Sequence, residues 1–551
     1  MTVDAANRSV IRTRLAIFVA AALLVAIRIT LPANAFWISD AGNKNLVAEN
    51  FAASGYRHVS IGYPAADVDP GFRWFPAAGS HFRQLGTHYF SIVPWVFPLL
   101  AAPLGTPWIP LAAGIGILMM MPALLRAAGS DADPAWAVIV TAFATPLAFY
   151  SLDFWEHTLA TLLATGAVVL LLRRKPLLAG LAAGASIVIR DEGYVFLAAV
   201  IIALAVAREL RPRIAPLLIG AAIVIAPYWF AQWMIFGNPF GLHLAVHAVA
   251  DDVSLPARIV RNVLYFLFHF HERPLIAALL ALPAAAAIVI GFRRRAPEQG
   301  TRAELIVGVL VGIGSLIGIF FWITDSDPIV NTIYTQGLFL FLPLTVFFLT
   351  RWRSLVTGND AMALIARISA VYVVLMPLVL RVNWSGVVWG PRYFLTIVPL
   401  LVVLSLRRLK IAVALVAISF VIEGYGLVLL HRKLEATSQL VTIVRTAPQV
   451  VISDVYWLPE ELSALYFEKK FMQPFGDREL LVALATLRAS NVREVTVVLS
   501  SRYHWYSPNA RALLESMAVR RVNFDPPGVP LLRAEVLVCQ LSPRPENLQP
   551  R

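Results

Sequence analysis

The sequence predicts a mainly α, polytopic transmembrane protein of about thirteen helices, with a large first extracytoplasmic loop and a small C-terminal α/β domain. Three observations predict it. Of 551 residues, 59% are hydrophobic and only 14% are charged, where a soluble globular chain carries roughly 25% charged residues. Mean hydropathy is +0.72, and apolar runs of about 20 residues recur from residue 16 almost to residue 430, each long enough to cross a hydrocarbon core of roughly 30 Å as a helix. Beyond about residue 430 the apolar runs shorten and alternate with charged, turn-rich segments. A water-soluble enzyme and a single-pass receptor are both excluded.

The basic excess, 46 − 33 = +13, is not the footprint of a nucleic-acid binder. Lys and Arg fall in short knots between apolar runs: Arg173-Arg174-Lys175, Arg208 to Arg213, Arg293-Arg294-Arg295, Arg351 with Arg353, and Arg407-Arg408 with Lys410. Such knots hold loops on the cytoplasmic side of a membrane. The single cysteine, Cys539, can make no internal disulfide, so the fold does not depend on oxidation.

Taken in order, the first element is a span at about 12–32, in which Arg8, Arg12 and Arg14 come before the apolar run from Leu15 to Leu31. Its apolar run exceeds a signal-peptide core, and Ala33-Asn34-Ala35 resembles a cleavage site only superficially, so a retained helix with a cytoplasmic N-terminus is expected. A loop of mixed composition follows, about 33–106. Within it, 91–104 is apolar but interrupted by Pro94, Pro98 and Pro103, and reads as a re-entrant or interfacial helix rather than a span. Spans at about 107–126, 134–151, 156–172, 176–190, 194–207, 214–234, 274–292, 304–324, 334–350, 362–381, 390–406 and 411–430 then keep every basic knot inside. This divides the chain into a transmembrane domain, 1–430, and an extracytoplasmic domain, 431–551. In the latter, apolar runs at 449–453, 495–499 and 535–539 read as strands, and 459–467 and 478–487 as helices.

In this topology the non-basic ionisable residues collect on the extracytoplasmic side. Asp40 opens the first loop; Asp153, Glu156 and His157 lie in one outer turn; Arg190, Asp191 and Glu192 in the next; then come His243, His247, Asp251 and Asp252, Asp325 and Asp327, and Gly390-Pro391-Arg392-Tyr393. Charge beside a membrane is costly enough to be a functional candidate by default. Carboxylates, histidines and arginines converging on one face describe a catalytic cavity open to lipid and to the outer space.

The Ser39-Asp40 loop start, Trp155-Glu156-His157, Arg190-Asp191-Glu192 and Gly390-Pro391-Arg392-Tyr393, together with the architecture, resemble the C-type (GT-C) integral-membrane glycosyltransferases. That superfamily includes protein O-mannosyltransferases, lipid A aminoarabinose transferases and oligosaccharyltransferase catalytic subunits. The resemblance implies that the acidic residue after the first span, here Asp40, accepts a proton from the acceptor. It also implies that an arginine of a late outer loop, here Arg392, contacts the lipid phosphate.

Each residue also has a plainer reading. Asp40 precedes a helix-like stretch and could simply cap it. Glu156 and His157 could bind sugar hydroxyls, an acceptor or a metal, or be a first-turn acid and an interfacial histidine; Asp153 beside them has the same two readings. Arg190 could meet a donor phosphate or pair with Asp191 or Glu192, and Glu192 could contact sugar or cation. Arg392 could grip phosphate through two parallel hydrogen bonds or reach to lipid headgroups. His243, His247 and Asp251 at i, i+4, i+8 could share one helical face and bind a divalent cation, or be a half-exposed interfacial helix.

No glycine-rich phosphate loop followed by Lys-Ser/Thr and no Gly-x-Ser-x-Gly element occurs. The expectation is an inverting transfer, in a plasma (inner) membrane, from a polyprenyl-phosphate-linked sugar to a hydroxyl on a glycan, lipid or protein. Asp40 is the general base, and Glu156, His157, Arg190, Glu192, Arg392 and Asp153 bind substrate. A transporter or flippase of lipid-linked sugars, and a polysaccharide polymerase or ligase, are the alternatives.

Overall fold

The computed structural model describes residues 3–76, 81–105, 107–247, 254–268, 274–293, 302–334, 336–358, 360–380, 387–406, 410–502 and 505–541. The chain divides into two compact units, Met1–Thr30 with Pro107–Leu429, and Leu31–Thr106 with Leu430–Arg551.

The first unit is helical. Among the described residues, seven helices are long and apolar enough to cross a membrane: Asn7–Thr30, Trp108–Ala128, Arg208–Phe236, Pro274–Arg293, Arg302–Ile323, Ala361–Val379 and Lys410–Arg445. Five more are apolar but shorter: Pro134–Phe143, His157–Leu172, Pro176–Ile189, Glu192–Val206 and Arg392–Ser405. The protein is therefore a polytopic helical membrane protein, while only seven of the thirteen expected segments reach spanning length. Two of the other six are cut at a proline. The segment expected at 134–151 is cut at Pro146 into Pro134–Phe143 and Leu147–Leu152. There Thr145 stitches the break, its hydroxyl donating to the Thr141 carbonyl at 2.7 Å and accepting from the Leu147 N–H at 3.2 Å. The segment expected at 334–350 is broken likewise at Pro343, into Leu338–Phe341, a 3₁₀ turn and Val346–Leu349. Residues 338–348 are all buried, which is where a broken backbone is tolerated at membrane depth.

Trp389 organises the core beside these breaks. Its ring stacks on Phe149 and Trp322 at 5.4 and 4.8 Å and meets Phe341 edge-on at 5.3 Å. Its indole N–H donates to Glu423 at 2.8 Å. One turn further along Glu423's helix, a Cβ on Gly426 would stand inside the indole ring. A Gly426→Ala variant is thus expected to lose about 1–3 kcal/mol, the cost of overpacking a filled core. A lowered melting temperature in detergent is the readout, and an unchanged one would mean that Trp389 has room to move.

The second unit carries the sheets. β1 (Phe82–Leu85) and β2 (His88–Ser91) form an antiparallel hairpin in the first loop. β3 (Val450–Ser453), β4 (Lys470–Met472), β5 (Glu494–Ser500), β6 (Ala518–Phe524) and β7 (Ala534–Gln540) form one sheet in the order β4-β3-β5-β7-β6. β4, β3 and β5 run parallel, and β7 runs antiparallel to both β5 and β6. Covered on both faces, β3 and β5 are nearly continuous apolar runs. Gly476–Ala489 takes in the second segment expected to be helical, whereas of 459–467 only the first turn is α-helical, in Leu458–Glu461, with the 3₁₀ turn Ser463–Leu465 after it. Residues 91–104 form no span; they continue from β2 into the six-residue helix Val96–Ala101.

The helix Ser39–Ala53 belongs to this unit and is buried although its sequence is polar. Its amides are satisfied one by one. Asn43 donates to Glu460 at 3.3 Å and accepts from Ser91 at 2.8 Å, Asn45 donates to Glu49 at 2.9 Å, and Asn50 holds the His58 and Ser60 carbonyls and the Gly62 N–H. Buried amides of this kind stabilise a fold only when fully paired.

Candidate active-site clusters

In the first unit, the acidic and basic residues expected to bind substrate sit at helix ends made by the breaks. Leu147–Leu152 stops at Asp153, and His157–Leu172 begins four residues later, so Asp153, Phe154, Trp155 and Glu156 form a buried link. Pro176–Ile189 stops at Arg190 and Glu192–Val206 begins two residues on. Arg190 is drawn between two carboxylates, one guanidinium nitrogen on Glu156 and another on Glu192. His157 Nδ1 lies 3.5 Å from the same guanidinium, and its ring forms a three-ring cluster with Tyr150 and Trp155, whose centroids lie 4.6 Å from it and 5.3 Å from each other. Tyr150 is fixed in turn by donating to the Trp389 carbonyl at 2.7 Å.

Arg190 therefore has the internal ion pair as its observed partner set, with Glu156 added to the expected Glu192. Asp191 is engaged elsewhere, 2.6 Å from Nδ1 of His243. Of the weak metal trio, only His243 has its side chain described. Asp251 and the His247 side chain lie outside the described residues, as do Asp252, His269, His271 and Glu272. Among the described residues no group of three His, Cys, Asp or Glu side chains could hold a metal ion.

Arg392 follows Gly390, whose φ of +59° turns the chain into the 3₁₀ segment Arg392–Ile397. A side chain at Gly390 would be strained in that left-handed conformation and would press on Phe341. The turn lays the Arg392 guanidinium over Tyr393 and Trp155, 4.7 and 5.5 Å from the ring centroids, and it donates to the Tyr393 hydroxyl at 2.8 Å. Arg28, inside the first long helix, is buried, donates to the Leu152 carbonyl at 3.4 Å and interacts with the Asp153 charge. It was missed in the sequence because it looks like one more residue of a basic N-terminal span. Glu423, an acid in the middle of an apolar helix, carried a clearer signal.

In the second unit, Asp40 sits in the first turn of Ser39–Ala53. It does not cap the helix: the cap position is Ile38, and no side-chain cap bond is made there. Asp40 is about one-third exposed and pairs at 3.0 Å with Lys44, which is 3% exposed. Beside them His81 Nδ1 lies 2.6 Å from the fully buried Glu460. The Asp40 charge acts on both His81 and Glu460. Asp40, Lys44, His81 and Glu460 thus form one electrostatic cluster. Glu460 was not legible as a partner, since it lies 420 positions from Asp40 in a segment that reads as an ordinary amphipathic helix.

Burial alone would lower the His81 imidazolium, but the Glu460 charge and hydrogen bond outweigh it and lift the group to about 8. Burial raises the Glu460 carboxyl as well, and His81 partly opposes that. From an ordinary value of 6.5 to about 8, the shift corresponds to about 2 kcal/mol. Because the folded value is the higher one, this stabilisation is complete below pH about 6.5 and fades as pH rises through about 8. Melting of the wild-type protein should therefore drop between pH 6.5 and 9 by about 2 kcal/mol more than that of His81→Gln; parallel curves would remove the pair from the account.

No family model matches the chain, and no curated protein matches it in sequence. Among solved structures, it is similar to ArnT from Cupriavidus metallidurans bound to undecaprenyl phosphate, with 12% identity over 95% of this chain and 97% of that one, and a TM-score of 0.45. It is likewise similar to the archaeal oligosaccharyltransferase AglB from Archaeoglobus fulgidus in complex with an inhibitory peptide and a dolichol-phosphate, with 12% identity over 88% of this chain and 69% of that one, and a TM-score of 0.45.

Proposed function

We propose that the chain is a membrane glycosyltransferase that moves a sugar from a polyprenyl-phosphate donor to a hydroxyl acceptor, with inversion at the anomeric carbon. The observation that carries this reading is the setting of Asp40. It is a partly exposed carboxylate grouped with the buried Lys44 and Glu460 and the half-buried His81, close in sequence to the end of the first long helix. Transfer to a hydroxyl needs a group that takes the proton as the new bond forms, and a positioned carboxylate does this.

In the proposed reaction the acceptor O–H proton passes to the Asp40 carboxylate. The acceptor oxygen bonds to the anomeric carbon from the face opposite the leaving group. The bond from that carbon to the phosphate oxygen breaks, and its electron pair leaves with the polyprenyl phosphate. Arg392 offsets the charge that develops on that phosphate, since an aromatic-backed guanidinium presents a fixed fork of donors. Arg190, already held by Glu156 and Glu192, is assigned a positioning role beside His157.

A flippase of lipid-linked sugars draws on the helices broken at Pro146 and Pro343, because transporters build sites from discontinuous helices. One assay separates the two readings. The purified full chain in nanodiscs is given a panel of polyprenyl-monophosphate and polyprenyl-diphosphate sugars, and free polyprenyl phosphate and released sugar are measured. Turnover of a donor is expected. Movement of intact donor between leaflets, with no cleavage of any member of the panel, would overturn the transferase reading.

A further inference from the structure

Glu423 has no part in the transfer chemistry, yet an ionisable side chain within the apolar helix Lys410–Arg445 is costly enough to need a physical reason. The side chain is buried. Among the described residues its carboxyl has one hydrogen-bond donor, the indole N–H of Trp389 at 2.8 Å, and its other oxygen is buried with none. Whatever Glu423 holds in place, it holds through Trp389.

Trp389 opens the turn Trp389-Gly390-Pro391-Arg392. Stacking on Phe149 and Trp322 and the edge contact with Phe341 set the plane of the indole, and the N–H bond sets which edge of it faces the helix of Glu423. Gly426, one turn further along that helix, leaves the room, since a Cβ there would lie 2.3 Å from the ring. The backbone of the same residue is also tied, its carbonyl accepting from the Tyr150 hydroxyl at 2.7 Å. Gly390 then turns the chain at φ +59°, proline fixes one torsion at 391, and the Arg392 N–H donates to the Gly390 carbonyl at 2.8 Å. On the far side, the buried Tyr372 donates to the Tyr393 carbonyl at 2.8 Å. Arg392 is thus gripped on both flanks, by Glu423 through Trp389 before it and by Tyr372 through Tyr393 after it.

We infer that Glu423 is a positioning residue for Arg392. By holding Trp389 it sets where the guanidinium stands over Trp155 and Tyr393, and so where a lipid phosphate is met. The inference deepens the proposed function and rests on it for the phosphate role of Arg392. A guanidinium recognises phosphate through parallel hydrogen bonds, and hydrogen bonds weaken steeply once misaligned. A small rotation of the turn therefore costs affinity although the charge stays. If Glu423 did no more than satisfy a buried indole, its loss would lower stability and leave the affinity for a phosphate lipid where it was.

The test titrates the purified full chain in detergent with polyprenyl phosphate and reads the bound fraction by native mass spectrometry, below the melting temperature of every variant. Glu423→Ala and Trp389→Phe should each weaken binding about tenfold, and the double variant should be no worse than either. Should Glu423→Ala not fold, Trp389→Phe, which keeps an aromatic ring in the stack, carries the same comparison. Glu423→Gln retains an oxygen to accept from the indole and should regain most of the affinity. In an Arg392→Gln background, Glu423→Ala and Trp389→Phe should weaken binding no further, because the residue they act through is gone. Wild-type affinity in Trp389→Phe or in folded Glu423→Ala overturns the positioning role. So does a Glu423→Gln protein as weak as Glu423→Ala, or a full further loss in the Arg392→Gln background. A wild type that binds no polyprenyl phosphate overturns it together with the phosphate role of Arg392. The expected pattern of binding in a protein that cleaves no lipid-linked sugar leaves the positioning role standing and overturns the transferase reading.

Discussion

Arg190→Met is expected to destabilise the first unit by about 3–5 kcal/mol, the cost of removing one partner from a buried ion pair. Arg190 is 12% exposed, and its carboxylates Glu156 and Glu192 are 6% and 12% exposed. Neither can move into water without unwinding a helix start, because Glu156 immediately precedes His157–Leu172 and Glu192 opens Glu192–Val206. Lysine is a poor substitute, since one ammonium cannot reproduce the forked donors that reach both acids. Arg190→Lys should therefore fall between the wild type and Arg190→Met. The triple variant Arg190→Met, Glu156→Gln, Glu192→Gln removes all three charges and should recover much of the loss. Melting followed in detergent by tryptophan fluorescence gives the comparison, and an Arg190→Met protein as stable as the wild type would show that the carboxylates do not need it. The same variant separates the two readings of Arg190. If its work is to hold Glu156, Glu192 and thereby His157, the triple variant regains stability without regaining activity.

How far these features could be read in advance depended on whether they were local. The long apolar runs, the proline-cut segment 91–104 and the strands at 450–453, 494–500 and 534–540 are written in composition and period, and the structure has them. β6 was not legible because, as an edge strand, its exposed positions carry Arg520, Arg521 and Asn523 instead of apolar side chains. The breaks at Pro146 and Pro343 were visible as prolines, yet hydropathy alone ran a span across each. The turns Asp153 to His157 and Arg190 to Glu192 stood out as charge between apolar runs. That Arg190 would choose Glu156, 34 positions away, over the adjacent Asp191 is a matter of helix packing that no spacing encodes. The Asp40 cluster was half legible. Asp40 and Lys44, at i and i+4 of one helix, are a local pair, whereas His81 and Glu460 arrive from a loop and from the short helix Leu458–Glu461. In the polar helix Ser39–Ala53 tertiary context sets burial, for its asparagines are buried because each has partners.

Asp40→Asn is expected to lower kcat by about 10²–10⁴-fold, the usual contribution of a positioned general base, equivalent to about 2.7–5.5 kcal/mol of barrier. The substitution keeps the size of the side chain and an amide oxygen to face Lys44, so the helix Ser39–Ala53 and the His81–Glu460 pair should persist. Donor affinity should change little, because the group proposed to meet the phosphate is Arg392. A base acts on kcat, whereas a residue that merely shapes the loop moves KM and stability together. Arg392→Lys supplies the opposite pattern: an ammonium offers one point charge in place of a fork, so both donor KM and kcat should suffer. The pH profile completes the separation. An ionised base gives a rate that rises with pH until the carboxylate is formed and then levels, and Asp40→Asn abolishes that rise. The His81–Glu460 pair adds a decline above pH about 8, because the cationic partner of Glu460 is lost there, and His81→Gln removes that decline without removing the acid limb. Asp40→Asn protein that folds, binds donor and turns over at the wild-type rate would leave the chain a transferase with its base elsewhere, and Glu460, buried beside His81, would be the next carboxylate to replace.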